Sequence, residues 1–285
     1  MKDILNVIFI GGLTNGRIVY DYLVANKYVN LLMTITYQDN FKGARHVPFP
    51  ESEYIIKSGT IKGYEKAIAI NKPDVIIVAG WSELIPSSVL SIPPMGCLGF
   101  HPAKLPYDRG RSVLAWQIED GYTETALTFF KYSEYPDGGN ILAQERIIIE
   151  YNDYINDILD KVDKATFNIM RAYFPLIRQG LIVEKPQNLG EGSFRRLRRA
   201  TDSMIDWNSN TSAIYNKIRA ISHPYPGAYG MIDNCYYLIW RAEPLIDFPL
   251  GVSFKPGIKV AHLYDDSMII KTRDGFLRVT EYEQL

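Results

Sequence analysis

One histidine and one aspartate stand out by residue type and setting. His101 lies in "GCLGFHPAKLPYDRGR", between a short apolar run and a turn punctuated by proline and glycine, and is one of 4 histidines. An imidazole titrates near neutrality and can serve as base, acid or cation with little tuning. Asp137 lies in "YPDGGNIL", a glycine-rich turn. An aspartate that reached the imidazole would orient it or favour its charged form, a contact that spacing alone does not make. Each residue also has a plainer role, as a satisfied turn histidine and as a turn aspartate bonding its own backbone.

Other groups invite chemistry less directly. The glycines at 11, 12 and 16 follow an apolar run as in a dinucleotide fold, but they do not spell G-x-G-x-x-G. Only Asp39 stands near the end of the next apolar run as a ribose reader, so a bound NAD is the lesser reading. Gly11 and Gly12 instead allow close approach of another ligand or make a tight turn. "RRLRRATD" holds Arg195, Arg196, Arg198 and Arg199, either a solvated face or a grip for a diphosphate. Trp116 and Trp207 are core or stacking surfaces. Cys97 and Cys235 fit no zinc or redox spacing and read as two buried thiols of a reduced cytosolic protein, with no metal site.

These side chains need a frame. The continuous β-branched run at 4–12, the runs at 29–37 and 74–80, and the one entering "CLGF" are strands covered on both faces, hence parallel. Helical spacing separates them, at "TNGRIVYDYLVANKY", at "IKGYEKAIAINKP" and briefly after Pro86. The alternation predicts an α/β fold with a Rossmann-like, doubly wound sheet, and ligands of such sheets bind outside the carboxyl ends of the strands. "ETALTFFKY" and "ILAQERIIIE" are a strand pair around the Asp137 turn, and a long helix stops at Gly180. From about Pro186 a basic loop, the helix "TSAIYNKIRAI", the turn "HPYPGAYG" and short strands indicate a small β-rich C-terminal domain. The expected domains are 1–185 and 186–285.

Bulk composition agrees with a globular chain of that size. Of 285 residues 47% are hydrophobic and 22% charged, enough for a sizeable core. The balance of 31 Lys+Arg against 32 Asp+Glu gives net charge −1, which does not suit a nucleic-acid binder. The start, "MKDILNVIFIGG", lacks a basic region followed by a long apolar one, and no run approaches the roughly 18–20 apolar residues of a membrane span. A cytoplasmic protein without membrane partners is expected. The apolar "CYYLIW" is either core or the face of a homodimer.

Several segments together resemble the N10-formyltetrahydrofolate-dependent formyltransferases, which include methionyl-tRNA, glycinamide ribonucleotide and sugar N-formyltransferases. Their Asn-x-His-Pro, leucine-proline, Arg-Gly pattern is matched by "GFHPAKLPYDRGR". Asp137, Gly139 and Ile141 fit Asp-x-Gly-x-Ile, and "AGWSELIP" resembles the folate strand end. "DSMIDW" and "IRAISHPYPGAYG" resemble the second domain of the tRNA and amino-sugar members. The likeness runs in register from about Phe9 to Gly230.

The resemblance implies that an amine attacks the formyl carbon between His101 and Asp137, the imidazole stabilising the oxyanion or taking the amine's proton and the carboxylate setting its charge. It places the folate along Gly80, Trp81, Leu84 and Ile85, with Asp137 beside it. A nucleotide-linked (dTDP- or UDP-) deoxyamino sugar, as used in bacterial surface glycans, is the implied acceptor. Its candidate contacts are Gly12, Arg109, Trp116, Arg196, Arg198, Trp207 and Tyr225. The family asparagine falls on Gly99. Loss of one such donor costs roughly 10²–10³ in rate unless a backbone N–H, a water or Asn140 replaces it. Methionyl-tRNA formyl transfer and a non-catalytic binding protein are the alternatives.

Overall fold

Apolar runs without polar interruption belong between two layers of helices, and the sheet bears this out. In the computed structural model, which describes residues 3–245 and 253–285, the first run forms β1 (Leu5–Gly11), buried along nearly its whole length. The chain continues through α1 (Leu13–Ala25), β2 (Val29–Thr36), β3 (Ile55–Lys57), α2 (Glu65–Asn71), β4 (Val75–Ala79), α3 (Ser87–Leu90) and β5 (Cys97–His101). It then forms β6 (Arg109–Gly110), α4 (Val113–Glu119), β7 (Glu124–Lys131), β8 (Ile141–Ile148), α5 (Ile155–Gln179) and β9 (Phe194–Arg195).

The main sheet has the order β3-β2-β1-β4-β5-β7-β8. Its first five members run parallel, and β7 adds to β5 antiparallel. Strand order turns back between β1 and β4, the place where a doubly wound sheet opens a crevice at its carboxyl edge. Ile8, Ile10, Ile35, Ile76 and Val78 fill one core layer. α5 ends as its sequence indicated, with Gly180 at φ +67°, a left-handed stop that favours glycine. β3, α4 and the two-residue pair β6–β9 were not anticipated, being too short to show a periodic pattern.

The second sheet is built from β10 (Ala228–Ile232), β11 (Cys235–Leu245), β12 (Lys259–His262), β13 (Met268–Lys271) and β14 (Phe276–Gln284), in the order β10-β11-β14-β13-β12. Its paired strands are antiparallel, and α6 (Thr211–Ile221) packs against it. This is the β-rich C-terminal part expected. Along β11 the "CYYLIW" run alternates: Tyr237 and Ile239 are buried and Tyr236 is exposed, so one face is core.

One cysteine departs from expectation. Cys97 is buried, and burial pushes its thiol up to about 12. Cys235 is exposed, because it pairs with Ile232 across a two-residue turn whose Asp233 and Asn234 both have positive φ. A hairpin tip has nothing to cover it.

Compactness does not follow a single cut at 185/186. One unit gathers Met1–Gly110, Thr125–Ile147 and Asp160–Arg195; the other gathers Arg111–Glu124, Ile148–Leu159 and Arg196–Leu285. α4 belongs with α6, against which it packs. No helix among the described residues is long and apolar enough to cross a membrane.

Candidate active site

The carboxyl edge of the main sheet collects the first group of expected residues. Val78 pairs with Gly99, which sets Gly80, just past β4, on the same edge as His101 at the end of β5. His101 is only 5% exposed. Its Nε2 lies 2.8 Å from the carbonyl oxygen of Asp108. A carbonyl only accepts, so Nε2 carries the hydrogen and Nδ1 is the ring atom left to exchange a proton. Asp137 Oδ1 stands 3.6 Å from Nδ1. The structure thus brings together the two residues that spacing could not connect. The gap is slightly too long for a direct hydrogen bond, and a water or an attacking amine can bridge it.

Both partners are held from several sides. Asp137 adopts φ +54°, a left-handed conformation that aspartate tolerates better than most residues. Its Oδ2 accepts from the Gly110 N–H at 2.8 Å. The Gln187 side-chain amide braces the turn, donating to the carbonyls of Asp137 at 2.9 Å and Gly139 at 2.6 Å. Gly139 is required there, since a Cβ would fall 1.7 Å from the Lys131 carbonyl oxygen. On the other side, Thr128 sits opposite His101 in register and donates to the Ala103 carbonyl, pinning the loop after the histidine. Asp108 is buried and accepts from Arg195 Nε at 2.6 Å and from the Ser193 hydroxyl at 3.1 Å. Asp108, Thr128 and Gln187 were not read from the sequence. Their roles come from pairings over 20 to 90 residues of chain, which leave no local pattern.

The glycine two residues before His101 is tightly enclosed. A Cβ at Gly99 would lie 2.3 Å from Cε2 of Tyr132 and 2.7 Å from the Val78 carbonyl oxygen. The second neighbour is backbone and cannot step aside, so Gly99→Ala is expected to lower stability by about 1–3 kcal/mol. A chemical-denaturation midpoint equal to that of the wild type would contradict this packing.

Residues 5–173 match the model of the formyl transferase family, and residues 198–284 match that of the formyl transferase C-terminal domain. The chain belongs to the formyl transferase family. It is 29% identical over 221 residues to the methionyl-tRNA formyltransferase of Geobacillus thermodenitrificans, covering 77% of this chain and 67% of that protein. Among solved structures, HypX from Aquifex aeolicus in complex with tetrahydrofolic acid superimposes with a TM-score of 0.72 at 20% identity over 98% of this chain. This chain spans 44% of the HypX chain. WlaRD, a sugar 3N-formyl transferase studied with dTDP and 5-N-formyl-THF, gives a TM-score of 0.66 at 16% identity, covering 99% and 98% of the two chains.

The formyl donor of this family is N10-formyltetrahydrofolate, and the edge beyond β4 fits such a molecule. Trp81 has a buried indole Nε1 with no hydrogen-bond partner. Its ring stacks on Tyr37 at 4.6 Å, and Tyr37 stacks on Phe41 at 4.0 Å. Leu84 is exposed and Ile85 buried. The loop is anchored by Glu83, which accepts from the Thr60 hydroxyl and the Ile61 N–H, each at 2.8 Å. An unused donor beside a flat aromatic wall suits a planar, acceptor-rich ring.

Of the acceptor candidates, Arg109 lies on β6 next to Gly110, whose N–H holds the Asp137 carboxylate. Its Nε is buried without a partner, while Nη2 donates to the Leu189 carbonyl at 3.3 Å. Gly12 is a packing glycine. Its Cβ would meet the Tyr37 ring at 2.4 Å, and its N–H already donates to the Ala79 carbonyl. The Gly12 N–H and the space above its Cα are thus both taken up within the protein.

In the second unit the arginines and tryptophans singled out from the sequence have partners within the protein. Arg196 is bidentate to Asp202 at 2.7 and 2.6 Å. Arg198 is paired with Glu119, which also holds Lys217. The Trp116 ring carries both guanidinium groups, Arg198 at 4.2 Å and Arg196 at 4.9 Å, and its Nε1 donates to the Arg196 carbonyl. These groups pair with one another, and Arg198 Nε alone among them is buried without a hydrogen-bond partner. Trp207 is core: it is 6% exposed, with the Cβ positions of Gly230 and Gly257 each 3.1 Å from its ring system. Tyr225 is half-buried in the turn after α6.

The Arg196 side chain, aided by the Arg199 N–H, holds the Asp202 carboxyl well below the usual carboxylate range. A folded-state pKa lowered in this way contributes stability above the unfolded value, about 3.9, and loses it as pH falls toward the folded one. Arg196 is largely exposed, so Asp202→Asn is expected to cost under about 1 kcal/mol at pH 7. In urea melts the difference from wild type should narrow below about pH 4; a gap that widened in acid would contradict the pairing.

Proposed function

We propose that this formyltransferase moves the formyl group of N10-formyltetrahydrofolate to the amine of a nucleotide-linked (dTDP- or UDP-) deoxyamino sugar. The observation that carries the acceptor is charge. A tRNA-binding face needs free Lys and Arg along the phosphates, whereas this chain has a net charge of −1, and its most basic run spends Arg195, Arg196 and Arg198 on internal carboxylates. Arg109 has no carboxylate partner among the described residues and stands beside the Asp137 turn, where it would meet an anionic acceptor. His101 and Asp137 would take the proton that the amine loses as its nitrogen bonds to carbon, a preorganised arrangement of the kind that lowers the barrier.

The identity to methionyl-tRNA formyltransferases favours charged initiator tRNA as a second acceptor. One assay separates the two. The protein is incubated with N10-formyltetrahydrofolate and, in parallel, dTDP-, UDP- and GDP-linked amino sugars and methionyl-tRNA, and each product is weighed by mass spectrometry. A one-formyl gain on a sugar and none on the tRNA supports the proposal. Formylation of the tRNA alone replaces it, and donor binding without any product points to a binding protein.

A further inference from the structure

Side chains alternate along a strand, so position 99 faces the same side of β5 as His101. The family resemblance puts there an asparagine whose amide polarises the formyl oxygen. The glycine found instead leaves that volume to another residue. A Cβ on Gly99 would stand 2.3 Å from Cε2 of Tyr132 and 3.0 Å from its Oη. The phenol therefore fills the place of the missing side chain and puts an O–H there.

Tyr132 is fixed in that position. It follows the last residue of β7, and its N–H donates to the Cys97 carbonyl at 2.7 Å. Its ring lies 4.9 Å from that of Phe130, tilted by 32°, and it packs on two core clusters. Burial first, and the charge of Asp137 second, push its pKa up, which favours the protonated phenol. No hydrogen bond uses Oη among the described residues. Its neighbours are already committed: the Asn140 amide donates to Glu184 Oε2 at 2.8 Å, and His101 Nε2 is held by Asp108. Asn140, one of the replacements considered from the sequence, is thus engaged elsewhere.

We infer that Tyr132 is a catalytic residue, its hydroxyl donating to the formyl oxygen in place of the family asparagine. The assignment rests on formyl transfer as proposed above. As the acceptor nitrogen bonds to the formyl carbon, negative charge builds on the oxygen facing Oη. The bond from that carbon to N10 then breaks as the C=O re-forms. The acceptor's proton passes to the His101–Asp137 pair, and a proton from the same pair completes the departing N10. The tyrosine keeps its own proton throughout and stabilises only the charge.

Tyr132→Phe tests this directly, because the ring and its packing stay. The expected result is a kcat lower by about 10²–10³, with KM for the folate and the thermal midpoint within error of wild type. A second readout needs no acceptor: the infrared stretch of a 13C-formyl carbonyl on bound 10-formyl-5,8-dideazafolate, a stable donor analogue. Loss of the hydroxyl should move that stretch to higher frequency. If neither acceptor is turned over by wild type while the stretch still shifts, the acceptor proposal fails and the hydroxyl assignment holds. A stretch unmoved by Tyr132→Phe, or a kcat within about threefold of wild type, would overturn it.

Discussion

Glutamine at position 101 is expected to lower kcat by about 10²–10⁴ while leaving donor affinity nearly intact. The amide N–H can still meet the Asp108 carbonyl that now holds Nε2 at 2.8 Å, so the loop is kept. What disappears is Nδ1, the one ring atom free to take a proton, facing Asp137 at 3.6 Å. Asp137→Asn should give a loss of the same order. Its amide oxygen can still accept from Gly110, and asparagine suits the positive φ at that position, so the effect isolates the charge. The two residues form one device, and the double variant should be little worse than the poorer single one. Single-turnover rates with saturating donor give all three values. Two singles within about threefold of wild type would remove the pair from the chemistry.

Trp207→Ala is expected to destabilise the second unit by about 3–5 kcal/mol with little change in KM for the acceptor. The indole is 6% exposed, and two glycines make room for it: Gly230 and Gly257 would each bring a Cβ to 3.1 Å. Trp207→Phe should cost less, because it keeps most of the volume and removes an Nε1 that has no hydrogen-bond partner. Urea denaturation followed by far-UV circular dichroism measures the loss. The opposite pattern, a raised KM with stability unchanged, would return Trp207 to the acceptor site.

That contrast shows what can be read from residue order. Strands β1, β2, β4 and β5 were legible because a buried parallel strand must be apolar almost throughout, and α1, α5 and α6 because they repeat at helical spacing. β3 and the β6–β9 pair have three and two residues per strand, below the length at which a period exists. His101 and Asp137 were legible as residue types in turns and through the family pattern, but their approach is created by β5 pairing with β7, a tertiary fact. Trp207 and the arginine run show the reverse difficulty. A tryptophan or an arginine has the same chemistry in a core or an ion pair as at a ligand, and only burial and partners tell these apart. Tyr132 was hidden for a further reason: its importance comes from an absence at position 99, thirty-three residues away in sequence.

The short β6–β9 pair matters for anyone recombining members of this family. Arg109 and Gly110 run parallel to Phe194 and Arg195, and Ser193 and Arg195 grip Asp108, whose carbonyl holds the histidine. The stretch leading out of the first unit is therefore a brace for the imidazole as well as a tether. A chimaera that imports a foreign C-terminal half must switch after Arg195 to keep that brace. Even then it would strand the native α4 against an unfamiliar α6, since Arg111–Glu124 packs with the second unit. Exchanging the second unit between relatives thus requires α4 to travel with its partner helix, and with Ile148–Leu159 as well, leaving three separated pieces of sequence to be moved as one.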